Sequence, residues 1–313
     1  MTTALPDTPL PATPKLGAEP RDWILLLKPR VISLVVFTGA VGVVIAPGHT
    51  NPVLAVVAIF CIALGAGAAG AINMWYDCDI DAVMKRTSTR PIPAGKIEPG
   101  GALGYGVVLA VISVLLMGLA TNLMAAGVLA FSIFYYAVIY TMWLKRRTPQ
   151  NIVIGGGAGA FPAVIGSAAV TGHIDALAML LFLIVFFWTP PHFWSLALYA
   201  SGDYQRAKVP MLPVVMGPKF TRVNVLVYSI ILAPLAMLPW LLGLSGPLYG
   251  AVAGVLSLAF IVHCARVFLD RQDETGRSLT GDAPARAAFK FSILYLFVLF
   301  AACAVDHLVC AHG

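Results

Sequence analysis

Asn73, Asp77 and Asp81 stand four residues apart in the stretch NMWYDCDIDAVMKRTSTRPIPAGK, which runs from Asn73 to Lys96. On a helix each step of four turns a side chain by about 40° and raises it by about 6 Å, so these three side chains form a ladder of oxygens up one face. Such a ladder can share hard divalent cations, Mg²⁺ above all. Asp79 falls on the other side of the helix and need not join them. Lys85, Arg86 and Arg90 follow, and Pro91 and Pro93 end the helix. Oxygen ligands beside guanidinium groups suit a phosphate or diphosphate. The competing reading is a membrane helix that simply ends in a solvated loop. It accounts for the bases, but less well for an Asn and two Asp at helical spacing beside an apolar run, where each carboxylate is costly to hold.

A second stretch, YASGDYQRAKVPMLPVVMGPK, repeats the outline of the first: Asp203 beside Tyr204, then Arg206 and Lys208, then Pro210 and Pro213. It offers one carboxylate where a metal clamp prefers two. A weak internal repeat, with two sites facing each other, is the expectation. WLKRRTPQN supplies Lys145, Arg146, Arg147 and Asn151, either as topology signals or as anion ligands. GGGAGAFP carries a small-residue face at Gly155 and Gly159 and reads as helix packing. FFWTPPHFWSLALY should kink at Pro190 and Pro191, and it sets His192 among Phe187, Trp188, Phe193 and Trp194. That histidine is either a bond between helices or a contact for a flat, metal-bearing ring. Tyr135, Tyr136 and Tyr140 are core positions whose ring faces can also stabilise a cation.

These residues must be held by a membrane scaffold. The chain is 59% hydrophobic and 11% charged, against about 25% charged in soluble domains. Residues 1–20 are polar and Pro-rich and read as a disordered tail, leaving 21–313 as a single transmembrane domain. Nine apolar segments are expected near 31–47, 53–75, 101–119, 123–143, 152–170, 176–198, 223–243, 247–265 and 289–309. All 20 Lys and Arg fall in the N-terminal segment or in the second, fourth, sixth and eighth connections and their flanks. The positive-inside rule then sets the N-terminus in the cytoplasm and the C-terminus outside, with the ladder at a cytoplasmic helix end. The same rule accounts for the net charge of +6 without nucleic acid. The five cysteines show no zinc-ligand spacing.

Taken together, the motifs resemble the UbiA superfamily of intramembrane prenyltransferases. The N-x₃-D-x₃-D motif and the R-T and R-P pairs after it match that superfamily. KPRVISLVVFTGAVG, LKRRTPQNIVIGGGAGAFP, WTPPHFWSLAL and DYQRAKVPMLPVV are similar to blocks of its haem-prenylating branch, and the likeness runs from Lys28 to about Lys290. The resemblance implies a multi-pass protein of the bacterial inner membrane, with its active site facing the cytoplasm. The implied reaction moves a farnesyl group from farnesyl diphosphate to the vinyl group of haem B, with water added across the new bond. Asn73, Asp77 and Asp81 would hold Mg²⁺ on the diphosphate. Arg86, Arg90 and Lys145 would neutralise its oxygens, while Asp203 and Tyr204 complete the metal site or position the leaving group. His192 would touch haem, and Lys28, Arg30 or Arg147 would pair with its propionates. Contact with haem A synthase or oxidase assembly factors would follow.

Three rivals are weaker. A UbiA-type enzyme acting on an aromatic acid of the quinone pathway fits the WTPPHFW and PMLPVV blocks less well. A secondary transporter would place its ionisable residues near the midplane. A CDP-alcohol phosphotransferase would carry a longer aspartate signature.

Overall fold

The computed structural model describes residues 17–310. In chain order the helices are α1 (Pro20–Leu26), α2 (Pro29–Val44), α3 (Pro52–Tyr76), α4 (Cys78–Val83), α5 (Pro99–Ala120) and α6 (Leu123–Phe134). A π-helix (Tyr135–Leu144) continues α6 without a break. Then come α7 (Asn151–Gly155), α8 (Gly157–Thr171), α9 (Ala176–Tyr199), α10 (Ser201–Arg206), α11 (Leu212–Val215), α12 (Gly217–Leu241), α13 (Pro247–Phe268) and α14 (Ala283–Cys310). Among the described residues strand pairing is limited to one isolated bridge, Gln272 to Ser278.

Eight spans are long and apolar enough to cross a bilayer, and a ninth arises if α1 and α2, bent by 54°, are one broken span. The count of eight, or nine with that broken span, agrees with the expected nine segments. Most of the expected tail lies outside the described residues, and α1 already begins at Pro20.

Local chemistry explains where the helices start. Asn51, Asn122 and Asp175 each accept a hydrogen bond from a backbone N–H in the first turn, of Val53, Ala125 and Ala178 respectively. Pro29, Pro52, Pro99 and Pro247 occupy first-turn positions, where the missing N–H costs nothing. Pro29 also explains the bend between α1 and α2. The residue before a proline is steered away from the right-handed helical region, and Lys28 takes a left-handed conformation, φ 56° and ψ 57°. By contrast, α9 runs as one helix through Pro190 and Pro191.

The spans pack as neighbours from α2 through α3, α5, α6 and α8, and from α9 through α12, α13 and α14. Contacts of α14 with α2 close the ring. The tightest crossing is that of α2 and α8. A Cβ on Gly42 would overlap the Ala163 carbonyl, and one on Gly166 would overlap the Gly39 carbonyl. On the far side, Asp306 of α14 accepts hydrogen bonds from the Gly246 and Tyr249 N–H groups and so caps α13 from outside. Arg222 of α12 is 1% exposed. It ties down the connection before α14 by donating to Gly276 O at 2.7 Å and Asp282 at 3.2 Å.

Replacing Gly42 with Leu should force α2 and α8 apart and cost about 3 kcal/mol or more. Gly104→Leu, whose Cβ has nothing within 4 Å, should be near neutral. Thermal unfolding of the two detergent-solubilised variants, followed by size-exclusion chromatography, measures the difference.

Candidate functional site

One end of the ring gathers the break between α1 and α2, the junction of α3 and α4, the end of the π-helix and the short helices after α9. The α3–α4 junction carries the ladder. Asp77, with φ −92° and ψ 12°, ends α3 and opens α4, so the single helix expected from Asn73 to Asp81 is broken at its middle rung. The spacing survives the break. Asp77 N donates to Asn73 O at 3.0 Å and Asp81 N to Asp77 O at 2.8 Å, the i to i−4 bonds of an α-helix.

All three rungs are buried, at 3%, 0% and 2% exposed, and each meets a basic side chain from a different segment. Lys28 Nζ donates to Asn73 Oδ1 at 2.6 Å. Lys145 Nζ donates to Asp77 Oδ2, and Arg146 lies 3.6 Å from Asp77 Oδ1. Arg90 donates to Asp81 Oδ2 at 2.6 Å. Asp79, turned to the other side as expected, pairs with Arg146 at 2.7 Å. That exposed pair, with two hydrogen bonds, holds the Asp79 carboxyl below its usual range.

The π-helix aims part of this set. Its i to i−5 bonds widen the turn. Thr141 Oγ1 donates to Tyr136 O, and Lys145 N donates to Tyr140 O at 2.9 Å. Asn73 Nδ2 in turn donates to Thr141 Oγ1 at 3.0 Å and to Asp77 Oδ2 at 2.8 Å. Tyr136 and Tyr140 stack with centroids 5.5 Å apart, and Lys28 Nζ sits 5.8 Å from the Tyr136 centroid. Two ring faces thus adjoin the charged cluster.

The ladder suits a divalent cation. Its donors are hard oxygens, and Asp77 Oδ1 is a buried atom with no hydrogen-bond partner. Among the described residues no three or more His, Cys, Asp or Glu gather into a metal-holding group. The ladder therefore offers part of a coordination shell, to be completed by oxygens of a ligand.

Other expected residues sort differently. Asp203 pairs with Arg206 on its own helix, α10. Tyr204, next to it, is 6% exposed and packs with Ile80, Met84 and Ile152. It braces α4 from beneath. The backbone has the same shape at both places: α9 breaks at Ala200, with φ −103° and ψ 9°, into a short helix, as α3 does at Asp77. Arg147 is exposed, and its neighbour Arg146 reaches the acids instead. Arg86 is exposed on the loop after α4, with no ion pair among the described residues. Lys28 lies on the ladder itself. The proline after it was the one sequence signal for its unusual backbone.

His192 is 9% exposed and lies between Trp188 and Phe289, with centroids 4.3 and 4.6 Å away. Its Nδ1 is 2.6 Å from Ser292 Oγ, whose own proton goes to Phe289 O. Nδ1 therefore carries the hydrogen and donates, and Nε2 keeps its lone pair.

Comparison with known proteins shows the family. Residues 35–294 match the model of the UbiA prenyltransferase family. A protoheme IX farnesyltransferase of Acidiphilium cryptum is 66% identical, covering 98% of this chain and 97% of its own. One of Granulibacter bethesdensis is 65% identical over 96% of this chain and 95% of its own. Two solved structures share the fold at 18% identity. A digeranylgeranylglyceryl phosphate synthase superposes with a TM-score of 0.74, covering 92% of this chain and 98% of its own. A UbiA homolog from Archaeoglobus fulgidus bound to GPP and Mg²⁺ superposes with a TM-score of 0.61, covering 90% and 99%. With a buried oxygen ladder on the motif that first suggested it, and relatives aligned almost end to end, the chain belongs to the UbiA prenyltransferase family.

Proposed function

We propose that this protein transfers a farnesyl group from farnesyl diphosphate to a vinyl group of protohaem IX, with addition of water, at the ladder on the α3–α4 junction. The observation that carries the reading is the buried line of Asn73, Asp77 and Asp81 met by Lys28, Arg90, Lys145 and Arg146. The names of the 66% and 65% identical relatives supply the substrates. Asn73, Asp77 and Asp81 would hold Mg²⁺, which as a Lewis acid makes the diphosphate a better leaving group. The site faces the cytoplasm of a bacterial inner membrane, on the strength of the positive-inside distribution and the bacterial relatives.

The chain's own residues divide the rest of the work. Lys145, Arg90 and Arg146 take up negative charge as the bond between farnesyl C1 and the diphosphate oxygen breaks, the electron pair leaving with oxygen. The faces of Tyr136 and Tyr140 stabilise the allylic cation. The vinyl π electrons form the new carbon–carbon bond to C1. Positive charge then rests on the carbon next to the porphyrin ring, where water adds and loses a proton. His192 would meet the haem through Nε2, the ring atom left free by the bond to Ser292. Arg86, exposed and without an ion pair among the described residues, is available to the diphosphate or to a propionate.

Purified protein incubated with haem B, farnesyl diphosphate and Mg²⁺ should yield a haem heavier by one farnesyl and one hydroxyl group. Chromatography with mass detection reads it, and omission of Mg²⁺ should remove it. Asp77→Asn and Asp81→Asn should each lower turnover by more than about 100-fold while the protein still inserts; full activity in either would discard the ladder as the metal site. His192→Ala should raise KM for haem about tenfold or more and leave KM for farnesyl diphosphate unchanged. Equal effects on both would return His192 to helix packing with Ser292.

A further inference from the structure

Lys28 differs from the other bases of the site in what it touches. Lys145, Arg146 and Arg90 each meet a carboxylate. Lys28 meets an amide, Asn73 Oδ1 at 2.6 Å, the Tyr136 hydroxyl at 3.4 Å and the Tyr136 ring. No carboxylate lies within ion-pair distance of it among the described residues. A partly buried ammonium with only neutral partners is under-compensated, because an amide oxygen replaces little of its lost hydration. Its backbone is strained as well. A left-handed conformation is unfavourable for a residue other than glycine, and such strain persists where the surroundings impose it. Here they do: Pro29 follows, and Asp22 on α1 is held by Lys96 at 2.9 Å. The bend between α1 and α2 therefore delivers one lysine to the ladder at a standing cost.

Asn73 has one carbonyl oxygen, and Lys28 takes one of its two lone pairs. The amide nitrogen is committed too, to Asp77 and Thr141, so the side chain cannot flip without losing both bonds. A cation on the second lone pair would lie beside the Lys28 ammonium, and repulsion between the two positive charges would drive Lys28 away. The freed ammonium would then face an added divalent charge in a cluster where Lys28, Arg90, Lys145 and Arg146 already outnumber Asp77, Asp79 and Asp81. A bare cation is repelled from such a place. One arriving with a diphosphate is not, since the anion supplies the partner that Lys28 lacks.

We propose that Lys28 is an exchangeable counter-charge: it holds Asn73 in the unloaded site and passes to the diphosphate when a divalent cation takes the Asn73 oxygen, so that metal and diphosphate bind as a pair. This rests on the reading of the ladder as a metal–diphosphate site. Lys28 is then a diphosphate-binding residue that also sets the coupling between the two ligands.

The test uses the full chain in lipid nanodiscs, Mn²⁺ as the probe ion read by electron paramagnetic resonance, and inorganic pyrophosphate as the anion. In the wild type, pyrophosphate should tighten Mn²⁺ binding about tenfold or more. Lys28→Met should bind Mn²⁺ alone at least as tightly as the wild type, since Asn73 is released, and should lose most of the tightening by pyrophosphate. Lys28→Gly, whose residue adopts the left-handed backbone without strain, should behave the same way and guards against misfolding of the methionine variant. Lys28→Arg should restore part of the coupling. Were Lys28 only a prop for Asn73, both neutral variants would bind Mn²⁺ alone more weakly and keep the full pyrophosphate effect, which overturns the proposal. Tight Mn²⁺ binding to the wild type without pyrophosphate would overturn it too, leaving the metal site intact. Absence of Mn²⁺ binding under either condition would remove the metal reading itself, and the proposal with it.

Discussion

Asp77 has no exposed surface, and its negative charge is the constraint around which this end of the molecule is built. A buried carboxylate without a counter-charge would destabilise the fold by about 3–5 kcal/mol. Lys145 and Arg146 supply that counter-charge from one segment, which fixes where the fourth span must end and how it must be wound. Asn73 bonds to the same Asp77 oxygen that accepts from Lys145, so the first rung is tied to the second. Arg90 reaching Asp81 folds the loop after α4 back over the third rung, and Thr87 Oγ1 adds a bond to the Asp81 carbonyl at 3.0 Å. Each pairing leans on the others. The ladder is thus both a binding surface and the electrostatic knot that holds four segments together.

Much of this could be read from residue order. Nine apolar runs separated by alternating basic and neutral connections gave the spans, because bilayer thickness and the placement of positive charge act on composition alone. Four-residue spacing gave the ladder and set Asp79 apart, because helical phase acts over one turn. What stayed out of reach involved choices that neither rule governs. Which of three adjacent bases in Lys145, Arg146 and Arg147 meets an acid depends on the phase at which the π-helix ends, and a sequence read at 100° per residue carries no sign of a π turn. Asp203 looked like a ligand by analogy with Asp77, but its neighbour Arg206 sits at a spacing that lets the pair close on itself. Lys28 was visible only as a base before a proline. Its contact with Asn73 spans 45 residues, a separation at which no local pattern speaks.

The parallel between the two halves is carried by backbone more than by side chains. α3 and α9 both stop at a residue near φ −100° and ψ 10° and restart as a six-residue helix. In the first half the short helix turns acids into the cluster. In the second it turns Tyr204 into an apolar layer with Ile80 and Met84 and pairs its acid with Arg206 of the same turn. One supersecondary shape therefore serves as a site in one half and as that site's support in the other. This explains how the second acidic motif can be thin without loss of architecture.

The ten residues of the π-helix have a consequence for how this chain can vary over evolutionary time. Along an α-helical span, adding or removing one residue rotates everything beyond it by about 100°. A π-helical stretch is wound with wider rings, so it already embodies a particular count of residues between the outer end of the span and Lys145. Point substitutions along its lipid-facing side, such as at exposed Val138 and Trp143, leave that count untouched and are free to drift. A single insertion or deletion there would swing Thr141 and Lys145 off Asn73 and Asp77 together. Divergence in this span is therefore permitted in composition and forbidden in length, and an alignment gap between residues 135 and 144 would mark a chain whose ladder has to be held by other residues.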